Sequence, residues 1–367
     1  MQATRFGQWH RSLALFTVLA LLAACASLPP AQPQPVKSPN DDYAYRYLTL
    51  PNQLEVLLIS DPDAPKAAAA LDVLVGSGDN PPGREGLAHF LEHMLFLGTD
   101  KYPEAGDYQQ YIDQHGGSHN AYTSFEHTNY FFDIQAAYLP GALDRFAQFF
   151  IAPRFDAVYV EREMNAVEAE YQMGLRSDSR RGLDVLQDVM NPAHPFSQFT
   201  VGSLQTLADT PEQPIREDLL RFYEQHYSAD KMRLVVFGAE SLEQLEALVT
   251  PLFSAVPNRE VEVTDIPEPL FTPESLPMLV QVQPQATLRQ LEVSFPVADY
   301  RADYRSNPLA YLGNLVGHEG AGSLLSQLKA EGLAETLAAG SGLGWRGGAL
   351  FSISIGLTEA GLAGQDR

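Results

Sequence analysis

A single cysteine, Cys25, is all that this chain of 367 residues contains. One thiol excludes an internal disulfide framework and any metal centre built from several thiolates. Positive charge is scarce as well: 24 Lys and Arg stand against 46 Asp and Glu, for a formal net charge of −22. A surface of that sign repels nucleic-acid phosphates, so no nucleic acid is expected as a partner. Long apolar runs are missing too, since the stretch from Leu13 to Ala24 is too short to cross a bilayer as a permanent helix. Low-complexity sequence is limited to a short proline-rich stretch. With 45% hydrophobic residues, the remainder reads as globular, long enough for one large or two medium domains.

The first residues read as an address rather than as fold. Arg5 and Arg11 precede the apolar run, which closes on Leu22–Ala23–Ala24–Cys25. A basic start, an apolar middle and small residues at the end form an export signal over residues 1–24. The closing four residues resemble a bacterial lipobox, which implies lipidation of Cys25 and a membrane anchor there. An ordinary signal peptide with a small-residue cut is the alternative. Both take the protein out of the cytoplasm, and Ala26 after the cysteine implies outer-membrane sorting, facing the periplasm. Residues 25–42 then read as a flexible tether.

Beyond the tether, Tyr45–Leu50 and Leu54–Ser60 flank Pro51–Asn52 as a hairpin. Ala67–Val75 is a buried strand, Ser118–Ser124 and His127–Ile134 pair, and Met232–Gly238 is a further strand. Helices are expected at Glu104–His115, around Leu143–Phe150, from Asp156 to about Ser177, near Leu183–Met190, and at Arg216–His226 and Ser241–Phe253. Residues 256–277, rich in proline and acid, are a linker. After it, Gln290–Phe295 and Ala349–Gly356 read as strands and Asn307–Gly317 and Leu324–Glu331 as helices. The expected division is 43–255 for the first domain and 278–367 for a second that stops short of completion.

The chemistry concentrates in Gly86–Leu–Ala–His–Phe–Leu–Glu–His–Met–Leu–Phe–Leu–Gly98, an apolar-periodic segment. His89 and His93 are four apart (93 − 89 = 4), so on a helix both imidazoles leave the same face, and Glu92 reaches the same patch. Two neutral imidazoles with a carboxylate beside them suit zinc and an acid–base group. This is the H-x-x-E-H order, the reverse of H-E-x-x-H. With nine histidines in the chain, an amphipathic helix carrying two ordinary histidines is the alternative.

A catalytic zinc needs a third protein ligand. The helix after Asp156 offers Glu163 and Glu170, seven apart and on one face, while Glu168 points elsewhere. Spacing does not choose between the two.

Gly86-x-x-His89-x-x-Glu92–His93–Met94-x-Phe96-x-Gly98–Thr99 and Asn165–Ala–Val-x-Ala–Glu170 together resemble the pitrilysin/insulin-degrading-enzyme family of zinc peptidases. Gly116–Gly–Ser–His–Asn120–Ala–Tyr–Thr123, Glu126–His–Thr–Asn–Tyr130, His194–Pro–Phe-x-x-Phe-x-Val–Gly202 and Gly317–His–Glu–Gly-x-Gly–Ser–Leu–Leu325 extend the resemblance from about residue 43 onward. It implies an α+β fold: an insulinase-type (LuxS/metallopeptidase-like) domain with a mainly antiparallel sheet packed against helices, plus an incomplete second domain of the same type. It implies one Zn2+ per chain held by His89, His93 and Glu170, with Glu163 orienting a ligand imidazole. Glu92 is then the general base of a metal-activated water, in an endopeptidase for peptides or small unfolded polypeptides. Asn120, Ala121, Tyr122 and Thr123 match the family's substrate-binding edge strand. The resemblance also implies a C-terminal insulinase-like half, in cis or in trans, which closes a chamber over the site. The expectation is therefore that the chain ends before that half, with a partner-dependent or non-catalytic half-enzyme, or a dedicated peptide-processing enzyme, as alternatives.

Overall fold

Residues 35–210, 213–263 and 265–364 are described by the structure, a computed structural model. The expected signal, Cys25 and the first part of the tether lie outside the described residues. Within them, β1 (Ala44–Thr49) and β2 (Glu55–Ser60) make the hairpin around Pro51–Asn52, with Thr49 opposite Glu55. The strands β3 (Lys66–Val73), β4 (Ser118–Thr123), β5 (Thr128–Gln135) and β6 (Met232–Gly238) complete a six-stranded sheet in the order β1-β2-β6-β3-β5-β4. All neighbours are antiparallel except β2 and β6.

Period-two patterning explains which face is covered. Val56 and Leu58 of β2, Ala67, Ala69, Leu71 and Val73 of β3, and Tyr130, Phe132 and Ile134 of β5 are all buried. Against them lie α1 (Leu87–Leu95), α2 (Asp107–Gln114), α3 (Leu139–Ile151), α4 (Ala157–Gly174), α6 (Ile215–His226) and α7 (Leu242–Phe253), with α1, α2, α3 and α7 touching the sheet directly. In contrast, α5 (Asp178–Asp188) packs through Leu186 on a separate cluster that includes Phe196 and Trp345. On α3 the anticipated apolar stripe, Leu143, Phe146, Phe149 and Phe150, is wholly enclosed. Each such side chain stabilises the fold by about 1.5–3 kcal/mol. The single core built this way extends to Val256, so α6, β6 and α7 are part of the first sheet's packing.

α1 is buried on most sides, and its start is held from outside the helix. Gly86, at φ +88°, offers no side-chain cap, and Asn80 Oδ1 accepts the free amide of Ala88 at 2.8 Å instead. Just before it, the buried Arg84 donates to Asp218 of α6 at 2.6 Å and to the carbonyls of Ala208 and Gln213. The helix that carries the two histidines is thereby tied to its neighbours at its first turn.

A second, three-stranded antiparallel sheet has the order β7 (Gln290–Val297), β9 (Gly348–Leu357), β8 (Ala334–Trp345). Its helices are α8 (Pro308–Val316), α9 (Leu324–Ala330) and α10 (Glu359–Ala363). Neither β8 nor α10 is anticipated by the sequence pattern. β8 reads Ala–Glu–Thr–Leu–Ala–Ala–Gly–Ser–Gly–Leu–Gly–Trp, with few β-branched residues and no alternation, and it is a strand because β9 pairs with it, across two register shifts. The two sheets meet at the turn between β4 and β5. There Phe125 packs with Phe196, Trp345 and Leu350, and the buried Glu126 accepts from Arg301 at 2.9 Å and from the amide of Arg346 at 2.9 Å.

Candidate metal centre

On α1, His89 and His93 project from the same face with ring centroids 4.8 Å apart and planes at 89°. α4 crosses α1 and brings Glu170 to both: Oε2 lies 3.5 Å from His89 Nε2 and Oε1 lies 3.7 Å from His93 Nε2. One ligand atom from each of the three lies within 4.8 Å of the other two. Ligands about 2.1 Å from a tetrahedral zinc are separated by about 3.4 Å, so these distances fit a single ion with little movement. Three protein donors, two imidazole and one carboxylate, leave a fourth position open.

Both rings are set by what lies behind them. His89 Nδ1–H donates to the Val201 carbonyl at 2.7 Å, and because a carbonyl only accepts, Nε2 keeps its lone pair toward Glu170. Val201 is there because two backbones touch: a Cβ on Gly86 would fall 2.2 Å from Gly202 Cα. Only glycine allows that approach, and both residues have positive φ, +88° and +90°. Behind His93, Glu163 Oε2 lies 3.5 Å from Nδ1, and Arg162 Nε holds Glu163 from the other side at 2.9 Å. Glu168, as the helical wheel requires, turns away and accepts from the Leu204 amide at 2.8 Å.

Electrostatics follow the same layout. Burial, with the neighbouring His93, pushes the proton affinity of His89 down, which keeps it neutral and ready to ligate. For His93 burial pulls downward, but the bond to Glu163 and the charges of Glu170 and Glu92 outweigh it and raise the pKa. Glu163 is lowered, chiefly by its bond to His93. Glu92 is 7% exposed, and burial lifts its carboxyl to about 7 against the hydrogen bond from Thr123. That is the range in which a carboxylate exchanges protons at neutral pH.

The four residues from Asn120 to Thr123 lie on β4, the outermost strand of the sheet, paired on one side with β5. Asn120 and Tyr122 are exposed, Tyr122 by 52%, while Ala121 and Thr123 are half-buried on the helical side. The Thr123 hydroxyl donates to Glu92 Oε2 at 2.5 Å. Sequence reasoning missed this link and the Val201 carbonyl. The Val–Gly at 201–202 was the available signal, but only the fold shows that Gly202 sits on Gly86.

A family model described as insulinase (peptidase family M16) matches residues 55–193, and one described as the peptidase M16 inactive domain matches residues 214–363. The second match opens at α6, within the packing of the first sheet. Human insulin-degrading enzyme is 48% identical over 329 residues, covering 89% of this chain and 32% of the relative. The A-factor-processing enzyme of Saccharomyces cerevisiae is 42% identical over 325 residues, covering 88% and 32%. The crystal structure of pitrilysin superposes with a TM-score of 0.86 at 36% identity, covering 92% of this chain and 36% of that one. The chain thus spans about a third of the length of the curated relatives it matches.

Proposed function

The chain belongs to the insulinase family, peptidase family M16, and on that premise we propose that it hydrolyses peptides or small unfolded polypeptides at a zinc centre held by His89, His93 and Glu170. The observation that carries this reading is the convergence of those three side chains, with both imidazoles turned so that Nε2 faces the carboxylate. When bound, zinc supplies a Lewis acid that acidifies water and polarises a peptide carbonyl.

The protein's own groups supply the rest. Glu92 takes the proton of the attacking water and delivers it to the leaving amine, a role that its carboxylate, one residue before His93 and hydrogen-bonded to Thr123, is placed to play. Thr123 fixes the rotamer of Glu92 through its hydroxyl. Glu163 holds the His93 ring from behind, which sets the imidazole's direction and raises its basicity. The free edge of β4 takes an extended peptide as an added strand through its outward amides and carbonyls, so recognition rests on main chain and tolerates varied sequence.

Incubation with a quenched fluorescent peptide tests the reading. Cleavage by wild type that stops on chelation and in Glu92→Gln supports it, and cleavage that survives in Glu92→Gln refutes the proton-transfer role. Two finer proposals rest on sequence alone: that Cys25 is lipidated and anchors the protein on the periplasmic side of a membrane, and that a C-terminal insulinase-like half cooperates with this chain. Membrane fractionation of Cys25→Ser tests the first, and a gain in peptide turnover on adding such a half tests the second.

A further inference from the structure

A solvent-open cleft runs from His89 and Glu170 along the end of α4, the face of α5 and the segment 199–201. His89, Glu170 and Thr123 close one end, so a side chain that enters it belongs to a residue next to the bond being hydrolysed. Leu175, Leu183 and Phe199 make part of the wall apolar. The same wall carries two guanidinium groups, Arg180 and Arg181.

These arginines differ from most others in the protein. Arg46 pairs with Glu243, Arg84 with Asp218, Arg145 with Asp107 and Arg301 with Glu126. Among the described residues Arg180 and Arg181 are paired with no carboxylate, and Arg181 Nε is buried without a hydrogen-bond partner. In a chain with almost twice as many acids as bases, two adjacent cations left open in a cleft are not accounted for by folding. An unsatisfied buried donor costs stability that a bound acceptor restores. The nearby acids do not fill that role. Asp178 is engaged by the amides of Gln285 and Ala286, and Asp184 lines the cleft without closing on either guanidinium. With Glu170 committed to the metal, the remaining side-chain charges of the cleft sum to positive. The stem of Arg180 lies along Gly174, one turn beyond Glu170 on α4, where a Cβ would fall 3.1 Å from Arg180 Cδ.

We infer that this cleft is a specificity subsite for a carboxylate of the bound peptide, with Arg180 and Arg181 as its binding groups. The subsite rests on the peptidase reading. It takes the carboxylate by charge-assisted hydrogen bonds from two planar donors, and the apolar wall accepts the methylenes that carry it. The carboxylate belongs to an acidic side chain flanking the scissile bond or to the peptide's own C-terminus.

The test compares peptides that differ only by Glu or Gln at each flanking position, each with a free or an amidated C-terminus. Wild-type kcat/KM should favour the carboxylate-bearing member of a pair roughly tenfold, mostly through KM, the scale of one charge-assisted hydrogen bond. In the double variant R180A/R181A that ratio should fall to about one, and R180K/R181K should retain part of it. A preference that follows the flanking Glu assigns the side-chain source, and one that follows the free C-terminus assigns the terminal source. A ratio near one in a wild type that does cleave, or a ratio kept in R180A/R181A, overturns the inference and leaves the peptidase reading standing. The same peptides bound to Glu92→Gln, followed by fluorescence anisotropy, read the subsite without turnover. Equal affinities there overturn it even if no cleavage is seen, whereas failure to cleave alone counts against the peptidase reading.

Discussion

Thr123 on the sheet's outer strand donates its hydroxyl to the Glu92 carboxylate at 2.5 Å, so the strand proposed to carry substrate and the residue proposed to carry the proton are one hydrogen-bonded unit. A peptide added beside β4 lies against residues that also orient the base. This bond favours the ionised carboxylate and opposes the effect of burial. Replacing Thr123 by Val keeps the shape and removes the donor. The acid limb of the pH–rate profile should then move to higher pH and kcat should fall roughly tenfold, the usual weight of a positioned proton-transfer contact being larger still. Zinc content should not change. An unshifted profile would show that the hydroxyl does not act on Glu92.

In the metal-free chain Glu92 carries a stability signature. Its carboxyl titrates at about 7 in the fold and at 4.5 when unperturbed, so the folded state holds the proton more tightly. The corresponding stabilisation is fully present below 4.5 and is lost as pH rises through about 7. With chelator present, Glu92→Gln should match wild type near pH 4 and exceed it at pH 8 by about 3 kcal/mol. Urea titrations at the two pH values measure this. A Glu92→Gln variant that gains nothing at high pH would mean the carboxylate is well solvated.

Glu163 and Glu170 should separate by degree. Glu163→Gln loses a partner of His93 and is expected to weaken zinc binding roughly 10- to 100-fold. Glu170→Ala removes a donor and should abolish tight binding. Competition against a chromophoric chelator ranks them, and equal losses would show that Glu163 is itself a ligand.

Gly86 and Gly83 provide a matched pair. Both have positive φ, but a Cβ at Gly83 meets nothing within 4 Å whereas one at Gly86 falls 2.2 Å from Gly202 Cα. Gly83→Ala should cost about 1–2 kcal/mol from backbone conformation alone. Gly86→Ala should cost more and also weaken zinc, because it pushes the Val201 carbonyl off His89. Denaturation midpoints and zinc competition check both, and equal effects at the two glycines would remove Val201 from the account.

What the sequence disclosed was what depends on local spacing. His89, Glu92 and His93 fall on one helical turn, and the stripe Leu143, Phe146, Phe149 and Phe150 declares its own buried face. Glu163 and Glu170 were both visible on α4, but which of them faces Nε2 of both histidines depends on where α4 crosses α1, a tertiary fact that no spacing holds. Val201 acts through a backbone carbonyl, which leaves no side-chain signal. β8 is poor in strand formers and takes its conformation from β9. Glu126, inside a matched motif, gave no hint that Arg301, 175 positions away, would close on it.

Zinc stoichiometry tests the central claim most directly. Elemental analysis of the purified, folded chain equilibrated at micromolar zinc should give one zinc per chain in wild type and in Glu92→Gln. His89→Ala, His93→Ala and Glu170→Ala should fold and carry almost none. A folded wild type without zinc, or a Glu170→Ala variant that retains it, would contradict the account.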